Sequence, residues 1–261
     1  MARTIAEIEQ EIDAAKAAQP ELDNLNSSSN TAIWKLWRYI VAAAHHTLEK
    51  LVEEQAAKAI SGTTDWYAQR VLEFQYGDTI SLVDYHPEYL VPDESKRIVS
   101  QVSVTDVYGA VLIKVAKGEV GSLEPLSTDE QAALISYINQ IKFAGVNTVL
   151  INQSADLLHF GADIYYNGQL DLTEFKTTVE NTINSYIQGL PFNGVFYTNK
   201  LIDKLQEVEG LNDVKINTLN VLPSGGSYKS IDRAYTPAAG YFEVDTTYPL
   251  NSINQLKYIA E

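Results

Sequence analysis

A chain of 261 residues, 45% of them hydrophobic, can bury one substantial core or two smaller ones. Its formal charge of −15 argues against a general nucleic-acid surface, which needs clustered Lys and Arg; the 19 basic residues are scattered. The absence of cysteine excludes disulfides, thiolate catalysis and cysteine-ligated zinc or iron–sulfur sites. No apolar run approaches the ~18–20 residues of a bilayer span, and the first residues lack a secretory h-region, so a soluble chain without a signal is expected.

Arg3 to Gln19 is expected to be a helix, with Ile5, Ile8, Ile12 and Ala15 on a narrow apolar stripe and Pro20 as its stop. After a polar Ser/Asn linker, a longer helix runs from about Thr31 to Ile60. Its Ile33, Trp37, Ile40, Ala44, Leu48 and Leu51 recur at close to 3.5 residues, the seam of a helix that packs on another helix. Folding back, the two helices could form a hairpin; a lone hairpin has little core, and packing supplies most helical stability, so a partner chain is the more economical account of this stripe. Inter-subunit packing is therefore assigned to Ile5, Ile8, Ile12, Trp34, Trp37, Ile40 and Leu51.

Thr64 to Tyr76 is expected as a short helix ending at Gly77, and Pro87 and Pro92 mark a loop over Tyr85 to Asp93. From Arg97 the period changes to two, giving a hairpin whose turn is Tyr108-Gly109 and whose return strand is Ala110 to Ala116. Gly118 to Pro125 has loop composition. Ser127 and Glu130 match a capping box for a helix bearing Leu134, Ile135, Ile138 and Ile141, which Gly145 closes.

A short strand over Val146 to Ile151 then leads to the most strongly patterned stretch. Leu158, Phe160, Ala162, Ile164 and Tyr166 alternate as one face of a strand. Leu172, Phe175, Val179, Ile183, Tyr186, Ile187 and Leu190 form one face of a helix, with Asp171 and Glu174 as a capping-box pair. A shorter helix from Asn199 to Val208, a strand through Val214 and Ile216, and a Gly/Ser loop with a short strand at Tyr241 to Val244 complete the chain. The order predicts an α+β protein: an N-terminal helical segment, then a mostly antiparallel sheet with helices packed on one face. The expected segments are 1–62, N-terminal helices; 63–126, short helix and hairpin; 127–222, α+β core; and 223–261, loop and short strand.

Catalytic patterns are sparse. His45 and His46 are adjacent on a helix, so their side chains diverge by ~100° and cannot share a metal. His86 and His159 have no second ligand at a recognisable spacing, and no phosphate-binding or nucleophile-elbow motif is present. Gly225-Gly226-Ser227 has the composition of a loop that could cradle an anion. Gly121-Ser122 is shared with nucleotidyltransferase sites, but those need paired carboxylates on a following strand, where only Asp156 and Asp163 stand apart. The residues predict no enzyme, no metal and no cofactor, with a metal-dependent nucleotidyltransferase as the alternative.

Several turns carry a family resemblance. Ala144-Gly145-Val146, Tyr165-Tyr166-Asn167-Gly168, the helix end Tyr186-Ile187-Gln188-Gly189-Leu190-Pro191-Phe192, and Val208-Glu209-Gly210-Leu211-Asn212-Asp213-Val214 are the stretches concerned. Over about Ser127 to Ile216 the chain resembles the baseplate J-like family, wedge proteins of contractile phage tails and related injection systems. Gly62-Thr63, Trp66-Tyr67 and Gln75-Tyr76-Gly77-Asp78 are similar to the irregular region preceding that core. Leu211 replaces a commoner valine, and only Arg97 to Glu119 occupies the place of a larger central β region. The resemblance implies a non-catalytic virion subunit assembled in the bacterial cytoplasm, dimerising within a ring around the tail tube. It also implies N-terminal helices that bundle with other wedge subunits, contacts to tube- or sheath-proximal proteins, and no nucleic acid or membrane partner, with a generic tail or neck adaptor as the alternative role.

Overall fold

The computed structural model describes residues 2–58, 60–83, 86–252 and 255–261. Ala59 and Tyr85, which the sequence places in the long helix and the Tyr85–Asp93 loop, lie outside the described residues. The chain divides into two compact units, Met1–Trp66 and Tyr67–Glu261.

Unit 1 is a helical hairpin. Helix α1 (Ile5–Ala17) starts at a full capping box in which Thr4 and Glu7 satisfy each other's backbone amides. Pro20 opens a single 3-10 turn, Pro20–Leu22, rather than a plain stop. Helix α2 (Ile33–Lys58) then runs for 26 residues.

The boundary falls within α3 (Thr64–Leu72). In unit 2 a small hairpin, β1 (Ser81–Val83) with β2 (His86–Glu88), takes part of the expected loop. Strands β3 (Gln101–Val107) and β4 (Ala110–Glu119) pair antiparallel across Tyr108-Gly109, whose φ angles of 49° and 79° are the left-handed pair that a two-residue hairpin needs. The expected Gly118–Pro125 loop is instead a second tight hairpin, because Gly121 supplies a φ of 95° and lets β5 (Ser122–Glu124) fold back on β4. Helix α4 (Thr128–Ile141) has the predicted Ser127–Glu130 box. It is the crossover that returns β6 (Asn147–Ile151) parallel to β4, giving the order β3-β4-β6.

The second sheet is centred on β7 (Asp156–Tyr166). Its alternate residues Leu158, Phe160, Ala162, Ile164 and Tyr166 are buried, as their spacing predicts. Helix α5 (Leu172–Gln188) covers them with Phe175, Val179, Ile183 and Ile187. Asp171 accepts hydrogen bonds from the amides of Thr173 (2.8 Å) and Glu174 (3.0 Å) at its start. After β8 (Phe196–Tyr197), helix α6 (Thr198–Gln206) adds Leu201 and Leu205 to the same core. Strand β9 (Leu211–Leu222) pairs antiparallel with β7 along nearly its whole length.

The tail contains more sheet than its composition predicts. β10 (Lys229–Ser230) pairs with β9 and β11 (Ala234–Tyr235) with β8, while β12 (Phe242–Val244) and β13 (Leu256–Ala260) both lie parallel to β7. The protein is α+β, and its strands are distributed over two main sheets with parallel as well as antiparallel pairings.

A buried and a half-buried polar group join the parts of unit 2. Asp156, with no exposed surface, accepts from the Tyr235 hydroxyl (2.8 Å) and from the amides of Ala238 (2.8 Å) and Ala239 (3.2 Å). Lys114, on β4, donates to Asn193 Oδ1 (2.8 Å) and the Pro237 carbonyl (2.7 Å), and burial lowers its pKa.

Candidate assembly surface

The α1–α2 hairpin is polar inside and apolar outside. Among the described residues of unit 1 only Ile8 and Ala42 are buried. Ionic groups supply the rest of the junction. Arg3 pairs with Glu49 and Glu11, Arg38 pairs with Glu9 (3.2 Å) and Asp13 (2.5 Å), and His46 Nδ1 lies 2.6 Å from the Arg3 carbonyl. At ~100° per residue, Arg38, Ala42 and Glu49 project roughly opposite Ile40.

That opposite face is a continuous apolar stripe. Ile33, Leu36, Trp37, Ile40, Val41, Leu48, Leu51 and Val52 are all exposed, Trp37 by 62% and Leu51 by 52%. No charged side chain interrupts the line from Ile33 through Trp37, Ile40 and Ala44 to Leu51. Scattered exposed hydrophobics are ordinary, whereas a contiguous line of them along ~27 Å of helix marks an interaction surface.

The seven residues assigned to inter-subunit packing therefore separate. Trp37, Ile40 and Leu51 lie on the outer stripe. Ile8, at 3% exposure, is instead a hairpin core residue, and Ile5 and Ile12 on the same face of α1 are half-buried. Trp34 is half-buried too, its ring approached by Lys16 (4.9 Å), Lys35 (5.6 Å) and Arg38 (5.7 Å). Its Nε1 has no hydrogen-bond partner. The narrow α1 stripe turns inward and, with the ion pairs, joins α1 to α2.

The chain matches no protein-family model and no curated protein.

The residues with catalytic possibilities sit in structural roles. Even-numbered β7 residues face the core, so Asp156 and Asp163 lie on opposite faces and do not converge as a paired-carboxylate site requires. Asp163 accepts from Asn217 (2.8 Å). Gly226 donates to the Pro223 carbonyl (2.9 Å), closing a turn at the Gly225-Gly226-Ser227 loop. His159 hydrogen-bonds Gln255 Oε1 through Nε2 (2.9 Å) and stacks on Tyr248 at 3.9 Å. Among the described residues no three acidic or histidine side chains group as metal ligands, and no helix is long and apolar enough to cross a membrane.

Sequence reasoning missed the ionic back of α2 and the Asp156 junction. The first had a signal: Arg38 and Glu49 are 11 residues apart, three turns, and so share a face away from the apolar line. The second had none, since its partners lie about 80 residues away.

Acid is expected to loosen α1. Hydrogen bonding from Arg3 holds the Glu49 carboxyl down from 4.5 to about 2. A folded pKa below the unfolded one gives stability that is complete above pH ~4.5 and lost as pH falls toward ~2. Hydrogen exchange over Ile5–Ala17, corrected for intrinsic rates, should rise in that window. In Glu49→Gln it should be raised already at neutral pH. Protection that is the same in both proteins would show that the ion pair does not hold α1.

Proposed function

We propose that this chain is a non-catalytic structural subunit of a phage-type tail baseplate wedge, assembling into the ring around the tail tube through its N-terminal helices and its α+β unit. The observation that carries this reading is the uncharged, exposed stripe of α2, directed away from α1. The turns that resemble those of the baseplate J-like family support this identity for the assembly. Its partners would be a second copy of itself, other wedge subunits and tube- or sheath-proximal proteins. An antibody against unit 2 should label the baseplate end of purified tail particles in electron micrographs. Labelling at the neck alone would favour a neck adaptor, and particles free of the protein would overturn both.

Trp37→Ala should weaken assembly far more than folding. Truncating a packed aromatic costs ~3–5 kcal/mol, and Trp37 is mostly exposed in the single chain, so the cost falls on association. Unfolding of unit 2 should be unchanged. A lower melting point with intact particles would put Trp37 in a core rather than an interface.

A further inference from the structure

We infer that a cleft of unit 2, between the tip of the β4–β5 hairpin and the C-terminal end of α5, receives an arginine side chain of a partner polypeptide. Two glycines shape it. At Gly121, φ 95°, a Cβ would stand 3.4 Å from the Gln188 side chain, so the hairpin tip lies against the last turn of α5. At Gly240, φ 101°, a Cβ would come within 2.6 Å of Phe192 Cζ, so that ring rests directly on the backbone leading into β12. The cleft holds about 240 Å³, below the ~300–1,000 Å³ of small-molecule sites, which suits one long side chain rather than a cofactor.

Its walls fit an apolar stem and its rim fits a cation. Leu123, Ile187, Leu190 and Phe192 supply apolar wall, and the Tyr241 ring lies 6.2 Å from that of Phe192. Among the described residues that line the cleft, Glu243 alone is charged, and it is exposed. Lys114 does not line it; the ammonium is held by Asn193 and the Pro237 carbonyl. Negative charge is felt inside: burial first, then Glu243 and Glu124, push the Tyr241 phenol up to about 12. The last turn of α5 adds the partial negative charge of a helix C-terminus. Gln101 and Gln188 offer side-chain oxygens as acceptors. Arginine suits this combination better than lysine, because its guanidinium is weakly hydrated and stacks on aromatic rings.

The test is an amide-shift titration of the isotope-labelled full-length chain with a blocked Gly-Arg-Gly peptide. A second peptide carries citrulline, which has the same shape and no charge. The arginine peptide should saturate in the millimolar range and move the amides of Gly121, Gly189 and Gly240. The citrulline peptide should bind about two- to fivefold more weakly, the range for one exposed ion pair. Glu243→Gln should weaken the arginine peptide by a similar factor and leave the citrulline peptide unchanged, its unaltered spectrum elsewhere showing an intact fold. Equal affinity of the two peptides for the wild type would overturn the charge-selected occupant. Tighter binding of a leucine peptide would make the cleft an apolar socket instead. Shifts scattered over the surface, or none, would remove the site. No outcome bears on the baseplate reading, which the position of the protein in tail particles decides.

Discussion

Val179→Asp is expected to abolish the fold of unit 2. Val179 has no exposed surface and lies on α5 between Phe175 and Ile183, in the core that includes Leu158, Phe160, Ala162 and Ile164 of β7. The core residues packed together there are hydrophobic and offer a new carboxylate no counter-charge. An unpaired buried charge costs several kcal/mol at least, against the ~5–15 kcal/mol that a domain has in total. Thr177→Asp is the control. Thr177 is exposed on the same helix, and its hydroxyl donates to the Thr173 carbonyl (3.0 Å). Surface changes of that kind stay within ~0.5 kcal/mol. Soluble yield and circular dichroism separate the two cases. A folded Val179→Asp protein would mean that the α5 stripe does not cover the sheet, and the architecture of unit 2 would be wrong.

What could be seen in the sequence was local. The alternation of β7, the 3.6-residue period of α5 and the Ser127–Glu130 box each rest on neighbours within a few residues, and each is where the pattern puts it. The division into two sheets was not visible, because it depends on which strands α4 and the tail bring together. Residues 256–260 show this most clearly. Leu256, Tyr258 and Ile259 give an irregular pattern that reads as coil, yet β13 is fixed by pairing with β7 from Ala162 to Tyr166. Sequence separation of that size hides a parallel partner from any local signal. The candidate surface was half legible. The apolar seam of α2 could be counted off, but whether α1 would cover it depended on Arg3 and Arg38 finding carboxylates on the other helix.

Asp156→Ala should strip unit 2 of a large share of its stability, although the residue removed is polar. Its carboxylate accepts from three donors of the returning tail: the Tyr235 hydroxyl, the Ala238 amide and the Ala239 amide. Each donor left buried without an acceptor costs ~1–3 kcal/mol, so the three together approach the stability of a whole domain. Asp156→Asn keeps one carbonyl oxygen and should lose less. Denaturant midpoints should therefore fall in the order wild type, Asn, Ala. The Tyr235 phenol gives an independent reading, since its pKa is raised first by burial and then by its hydrogen bond to Asp156. Removing the carboxylate should let it ionise at lower pH, while burial keeps it above an ordinary tyrosine. Equal midpoints for all three proteins would mean that water satisfies the freed donors, and that β12 and β13 pairing holds the tail on β7.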